Sequence, residues 1–373
     1  MHIYLELASV TCLYFLLLTL VNNFSFRKLN IPPIKFRSPK VSILIPARDE
    51  ERNIRACLDS LLKQDYTNYE ILVMDDNSSD ATASILREYQ SAHPRIKAFT
   101  GKPLPPEWLG KHFACHQLAE KADGDFFMFT DADTTHQPKS VSWALTNLLH
   151  HKADFLSAYP RQTIGSLGEA IVVPCMYLAT SLFLPVWMML RCKNPLVSFA
   201  IGQFVVVRRE VFKVAGGYEA IKDCLVDDIS MVRNIKKAGF KTLFLDGKDF
   251  VTCRMYHGYG EAFRGFVKSL YAALDKSLVR LLAAIMLISA TIILPLIILA
   301  KAWISGSGPV YLATLPVIIF LTMWTVSLVE RRMPAYYALL YPAQFINLLA
   351  IAVVSAAQTG YGKGALWKRR LVK

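Results

Sequence analysis

Apolar positions follow two patterns along this chain. Between Val41 and Met255, short apolar runs alternate with stretches whose apolar residues recur at helical spacing. Val41–Pro46 predicts a buried strand. A helix follows it, with Ile54, Cys57, Leu58, Leu61 and Leu62 on one face. Tyr69–Met74, Ile96–Phe99, Asp125–Thr130, Ala153–Ala158, Gln203–Val207, Lys241–Leu245 and Phe250–Met255 predict further strands. Helices are expected around Ile85, Leu86 and Tyr89, over Lys111–Ala122, over Asp227–Ala238 with Gly239 as terminator, and over Glu261–Lys276. Asp125–Thr130 is apolar on both faces, which suits the centre of a parallel sheet covered by helices. The alternation predicts a doubly wound α/β sheet.

The second pattern is continuous. Ile3–Val21, Leu278–Ala300, Val310–Val329 and Ala335–Ala357 are each long enough for the roughly 20 residues that cross a bilayer. No small-residue cleavage site follows Val21 and the basic residues come after it, so the first run is expected to be a retained anchor. Pro342, Gln344 and Asn347 make the last run a candidate re-entrant segment. Ile171–Leu190 has no charge until Arg191, but Pro174 and Pro185 interrupt it. A single span there would put Asp131 and Asp228 on opposite sides of the membrane. If the two share a site, the segment lies in the interface.

Charge sharpens this picture. Formal net charge is +13, and Arg27, Lys28, Lys35, Arg37, Lys40 and Arg48 follow the first apolar run with no acid among them. Lys363, Lys368, Arg369, Arg370 and Lys373 close the chain in the same way. Basic residues beside apolar spans mark a cytoplasmic face and anionic headgroups rather than nucleic acid. One anchor and three later spans would place the tail outside, against that tendency. The seven cysteines include no C-x-x-C pair, which argues against a disulfide framework or a zinc site.

Three acidic clusters carry the candidate chemistry. Asp131-Ala132-Asp133 ends the most apolar strand, where two carboxylates could hold Mg²⁺ or Mn²⁺ on a diphosphate. An acidic helix cap is the plain alternative. Asp75-Asp76 ends the second strand, and Asp76 could accept a hydrogen bond from a pyrimidine imide, while Asp75 suits a cap. Asp227-Asp228 could supply a general base, although an acidic pair at a helix start is ordinary. Arg48, Lys111 and Arg208 or Arg209 are candidate phosphate partners, Lys111 following Gly110 at an expected helix start. His112, His116, His136, His150 and His151 lack metal-ligand spacing, and no G-x-S-x-G or Walker loop occurs.

Together V-S-I-L-I-P-A-R-D-E at Val41–Glu50, D-D-N-S-S-D at Asp75–Asp80, D-A-D at Asp131–Asp133 and V-D-D at Val226–Asp228 resemble the family 2 glycosyltransferases over roughly residues 40 to 275. The resemblance implies a GT-A fold with a mostly parallel sheet, a nucleotide-sugar donor, a divalent metal and inversion at the anomeric carbon. Carried over by position, Pro46, Arg48, Glu50, Asp76, Lys111 and Asp131 would bind the nucleotide sugar. Asp131 and Asp133 would hold the metal. Asp228, with Asp227 beside it, would be the catalytic base. W-L-G-K at Trp108–Lys111, Gly202-Gln203-Phe204, Gly216-Gly217-Tyr218, Arg254-Met255-Tyr256 and Trp367–Arg370 look like the membrane-bound branch associated with hopanoid and carotenoid glycosylation, with 202–204 in the acceptor region. The acidic pair is Asp-Asp where many members have Glu-Asp, and the Q-x-x-R-W motif of processive synthases is missing, Glu261–Lys268 taking its place.

The expected organisation is an anchor at 1–24, a catalytic domain at 25–276 with an interfacial segment at 165–192, two or three membrane helices within 277–358, and a basic tail at 359–373. The expected activity is a single transfer from a nucleotide-diphosphate sugar, UDP-linked, to a hydroxyl or carboxyl of an apolar lipid such as a carotenoid or hopanoid. It would take place at the cytoplasmic face of a multi-pass membrane protein. Transfer to polyprenyl phosphate is the rival within enzymes, and a non-catalytic membrane scaffold the rival outside them. No nucleic-acid partner is expected.

Overall fold

Seven strands form one sheet, six of them buried almost throughout and one edge strand exposing Lys97 and Thr100. In chain order they are β1 (Val41–Ala47), β2 (Tyr69–Asp75), β3 (Ile96–Thr100), β4 (Phe126–Thr130), β5 (Phe155–Tyr159), β6 (Phe204–Arg208) and β7 (Thr242–Asp246). The computed structural model describes residues 1–33, 39–360, 365–367 and 370–372. Their spatial order is β3-β2-β1-β4-β6-β5-β7. Side chains alternate between two cores. Ile43, Ile45, Ile71, Val73 and Met128 pack with the helices Ile54–Leu62 and Ser140–His150. Leu44, Leu72, Phe127 and Phe129 pack with the helices Gly110–Lys121 and Asp227–Lys237. Full burial of a phenylalanine stabilises by about 1.5–3 kcal/mol, so Phe127 and Phe129 fix the strand that ends at Thr130.

The sheet is mixed rather than purely parallel, with parallel pairings in the majority and helices on both faces. β1 pairs in parallel with β2 and β4, β2 with β3, and β5 with β7. β6 alone is antiparallel, to both β4 and β5. Its start, Phe204, therefore pairs with the end of β4 at Thr130. A smaller sheet joins Thr134–His136, Val251–Cys253 and Arg161–Gln162.

The chain divides into two compact units, one of Phe26–Thr163 and Trp187–Met255, the other of Met1–Ser25, Ile164–Val186 and Tyr256–Lys373. The first holds the large sheet. The second is built on apolar helices, and His2–Leu29, Leu278–Ser305, Val310–Glu330 and Ala335–Gln358 are each long and apolar enough to cross a membrane. The apolar segment after residue 164 is not one helix. It runs as Leu167–Val172, a tighter turn at Val173–Tyr177 and a wider one at Ala179–Phe183. Pro185 ends the run, and Asn22 meets the backbone groups released there. Its amide donates to Thr180 O at 2.6 Å and Leu184 O at 2.8 Å, and its carbonyl accepts from Val186 N at 2.8 Å. Gln344 is fully buried, accepting from Trp324 Nε1 at 2.7 Å and donating to Ala170 O at 2.9 Å. Polar residues among apolar helices persist when partnered in this way. Within the expected tail, Ala365–Trp367 and Arg370–Val372 pair as two short strands, while Lys363, Lys368, Arg369 and Lys373, like Lys35 and Arg37, lie outside the described residues.

Candidate active site

Chain direction decides which residues meet. β1, β2, β4, β5 and β7 all end at one edge of the sheet, and the reversed β6 begins there. The loops after β1 and β2 are tied to each other. Arg48 Nη1 donates to the carbonyls of Asp76 at 2.5 Å and Asn77 at 3.3 Å. Asp49 Oδ1 accepts from Ser79 N at 2.7 Å, and Glu50 N donates to Thr82 Oγ1 at 2.8 Å. Asp49 and Asn77 hold left-handed backbone (φ 51° and 56°), a conformation that Asn and Asp tolerate best after glycine. Pro46 sits where its missing N–H costs nothing, since the β1–β4 pairing stops at Leu44. Asp75 Oδ1 accepts from Ser78 N at 3.0 Å, a turn-capping role, and Asp76 is buried, with its own N–H donating to Ala47 O at 2.8 Å.

Lys111 is the hub of the acidic clusters. It lies in the first turn of the helix Gly110–Lys121. Its Nζ is 2.8 Å from Asp131 Oδ1 and 3.8 Å from Asp227 Oδ2. Burial would lower its pKa, but the charges of Asp131 and Asp227 outweigh this and hold it well above the usual lysine value. Asp228 Oδ2 accepts the Gly202 amide at 3.0 Å, and a Cβ on Gly202 would stand 3.4 Å from Lys111 Nζ. Residues 111, 131, 202, 227 and 228 thus form one group from four separate chain segments. Burial, then the charge of Asp227, raises the Asp228 carboxyl to about 7, against the pull of the Ile229 amide, Lys111 and the Gly202 amide. A carboxylate there can gain or lose a proton near neutral pH.

Asp133 lies beside Cys253. Burial, then the Asp133 charge, pushes the Cys253 thiol well up. Gln203 Nε2 donates to Cys253 Sγ at 3.1 Å, while Phe204 is fully buried at the start of β6, its ring tilted against those of Trp143 and His136. Arg208 and Arg209 do not join the group. Because β6 is reversed, Arg208 pairs with Phe126 at the opposite edge of the sheet. There Arg208 Nε lies 3.3 Å from Asp154 Oδ1, and Arg209 Nη1 donates to Asp123 O at 3.1 Å.

The sequence pattern did not single out the support of the Asp-Ala-Asp loop. Thr134 Oγ1 donates to Asp131 O at 2.7 Å and Thr130 Oγ1 to Gln203 O at 2.9 Å. With both hydroxyl hydrogens used, His136 Nε2 is the donor to Thr130 at 3.1 Å and Thr134 at 3.0 Å. Burial lowers His136 to about 3, so it stays neutral. It is a brace, as its lack of metal-ligand spacing allowed, and the alternation of Thr134 and His136 in a short strand was the available signal.

Among the described residues no group of three or more His, Cys, Asp or Glu side chains is placed to hold a metal. Residues 42–216 match the family model for glycosyl transferase family 2. A 4,4'-diaponeurosporenoate glycosyltransferase of Staphylococcus aureus (strain MRSA252) is 26% identical over 263 residues, 70% of this chain and 68% of that protein. The protein of that name from Staphylococcus haemolyticus (strain JCSC1435) is 25% identical over 241 residues, 62% of this chain and 60% of its own length. Among solved structures, a mannosyltransferase from Pyrobaculum calidifontis in complex with GDP-Man and Mn²⁺ matches with a TM-score of 0.61 at 18% identity, over 96% of this chain and 99% of that one. That likeness identifies the α/β domain as GT-A-like.

Proposed function

The chain carries a family 2 glycosyltransferase domain over residues 42–216, and from that premise we propose that it is a membrane-bound inverting enzyme. It moves one sugar from a nucleotide-diphosphate donor to an oxygen of an apolar lipid. The single observation that carries this is the group of Lys111, Asp131, Asp227 and Asp228 at one sheet edge. The four membrane-length helices support membrane residence. The staphylococcal relatives, named for a carotenoid acid, support a polyene-like or other apolar acceptor.

In this reading Pro46, Arg48, Glu50 and Asp76 line the base pocket. The acceptor oxygen attacks the anomeric carbon, the bond from that carbon to the diphosphate breaks, and its electron pair leaves with the diphosphate. A hydroxyl acceptor passes its proton to Asp228, whose raised pKa suits it to take a proton near pH 7. Lys111, at a helix start, faces the growing negative charge of the leaving group. Gly202, Gln203 and Phe204 border the acceptor side, next to Asp228 through the Gly202 amide.

The residues present suit a divalent cation. Mg²⁺ and Mn²⁺ take hard oxygen ligands, and one or two carboxylates complete a shell with substrate phosphates and water. Asp131 and Asp133 provide such a pair, so a set of only two protein ligands is no obstacle. When bound, the ion would neutralise charge on the leaving diphosphate. Asp131 already engages one cation, Lys111, at 2.8 Å.

The broken segment at 165–192 is proposed as the part that docks the catalytic domain at the interface. The proposed cytoplasmic placement of that domain rests on the basic residues after the first span. The direct test is calorimetric binding of a nucleotide panel to detergent-solubilised protein, with and without Mn²⁺. Metal-dependent binding of UDP or GDP, lost in Asp131→Asn, supports the proposal. Failure of every nucleotide to bind overturns it in favour of a scaffold.

A further inference from the structure

Lys236 is a buried lysine that the proposed mechanism does not use. It is 4% exposed and sits in the last turn of the helix Asp227–Lys237. No carboxylate among the described residues faces it. Its Nζ instead donates to the carbonyls of Val197 at 2.5 Å and Cys192 at 3.0 Å. Burying an ammonium without a counter-charge is costly, and the carbonyl end of a helix offsets only part of that cost. A methionine would fill the place more cheaply, so the charge has a use there.

The first turn of the same helix carries Asp228, eight residues and about 12 Å earlier along the axis. Asp228 accepts the amide of Gly202, five residues beyond Val197. One helix therefore grips one chain segment at two points. The segment also exposes Trp187 and Leu196 beside Arg191 and Lys193, a mixture that settles among lipid headgroups. Ser157 Oγ holds the far end of the segment, accepting from Ile201 N at 2.8 Å and donating to Ile201 O at 3.0 Å, and Lys236 holds its near end at Cys192 and Val197.

We infer that Lys236 is a positioning residue, which straps the 192–202 segment to the helix of the base so that the Gly202 amide and the acceptor side stay registered with Asp228. This rests on the proposed glycosyl transfer for its catalytic consequence, but not for the strap itself. The conservative variant Lys236→Arg keeps the charge and the donors, and Lys236→Met removes both.

Hydrogen exchange by mass spectrometry on the full-length protein in lipid nanodiscs tests the strap without any activity. In the wild type, peptides covering 192–202 should exchange together with those of the helix 227–237. Fast exchange of 192–202 over a protected helix would overturn the inference, with no variant needed. In Lys236→Met, protection of 192–202 should fall about tenfold or more while the strands keep theirs, and Lys236→Arg should restore most of it. Equal protection in wild type and Lys236→Met refutes the strap.

For the catalytic consequence, release of nucleoside diphosphate from UDP-glucose and GDP-mannose is followed with a long-chain alcohol in the nanodisc. Lys236→Met should lower turnover about tenfold, leave UDP and GDP affinity within about twofold, and move the acid limb of the pH profile upward as Asp228 loses the Gly202 donor. Parallel loss of nucleotide affinity and turnover would refute positioning. A wild type that transfers from neither donor counts against the glycosyl-transfer proposal, and the exchange result still decides the strap.

Discussion

Replacing Asp227 by asparagine should make the enzyme work at lower pH. Asp228 stands at about 7, raised from 3.8 first by burial and second by the negative charge of Asp227. That shift of about three units corresponds to roughly 4 kcal/mol against ionisation at about 1.4 kcal/mol per unit. Asp227→Asn leaves the burial and removes the charge. It also releases Lys111 from the 3.8 Å contact with Asp227, and Lys111 lowers Asp228. Both changes act in one direction. As the second cause, the Asp227 charge carries less of the shift than burial does. The acid limb of kcat/KM, which reports the free enzyme's base, should move downward from about 7. At pH 6 only about a tenth of the wild-type base is ionised and a larger share of the variant's, so the ratio of variant to wild-type activity should rise on going from pH 8 to pH 6. The assay is initial-rate transfer at low donor concentration over pH 5 to 9. A limb that stays in place or moves up would refute the assignment of Asp228 as the base tuned by its neighbour.

Other outcomes follow from the same contacts. Asp228→Asn should abolish transfer to a hydroxyl, and it should stabilise the fold above neutral pH. A carboxyl with a raised folded pKa contributes stability that is full below its unfolded value of 3.8 and lost as pH rises through about 7. Thermal melts of the two proteins should therefore coincide near pH 4 and diverge by up to about 4 kcal/mol by pH 8; superimposable melts at both ends would contradict the raised pKa. Lys111→Met should weaken UDP or GDP binding about tenfold or more in calorimetry, since Asp131 and Asp227 lose their shared cation where a diphosphate has to approach. His136→Phe should keep the shape but leave Thr130 and Thr134 without their donor, costing about 1–3 kcal/mol in a melt and loosening Mn²⁺-dependent binding.

Much of this architecture can be read from the order of apolar runs, and the parts that cannot share one cause. Apolar content locates a strand and says nothing about its direction. Phe204–Arg208 reads as a strand in either orientation, and the observed reversal sends Arg208 and Arg209 to the edge away from Asp131 while bringing Gly202 to Asp228. Phosphate contacts assigned by counting basic residues near a strand end fail at that step. Asp75, Asp76, Asp131 and Asp133 come to one edge because they end or follow parallel strands, where the carboxyl end is the same edge every time. His136 and Lys236 were hidden for a different reason. His136 stands in a three-residue strand, and Lys236 is a basic residue at the end of an amphipathic helix, where a charge is ordinary; the worth of each lies in the hydroxyls or carbonyls that it reaches.

The reversed strand also explains why the proposed acceptor side meets Asp228 through backbone. A parallel strand at this position would deliver its first residues to the far edge, and the segment before it would never reach the base. Running the other way, β6 delivers Gly202 and Gln203 as it enters the sheet. The backbone amide makes the approach, and the space beside it limits the side chain that can stand there. Its amide reaches Asp228 at 3.0 Å, and a methyl group there would meet Lys111 Nζ and the Asp228 side chain only at ordinary contact distance, 3.4 Å and beyond. Gly202→Ala should thus fold and bind nucleotide normally. Gly202→Val, which carries branches beyond that first carbon, should push Lys111 from Asp131 and lose nucleotide affinity and turnover together. Equal behaviour of the two variants in binding and transfer would mean that the space beside Gly202 is not where the donor's phosphates and the base come together.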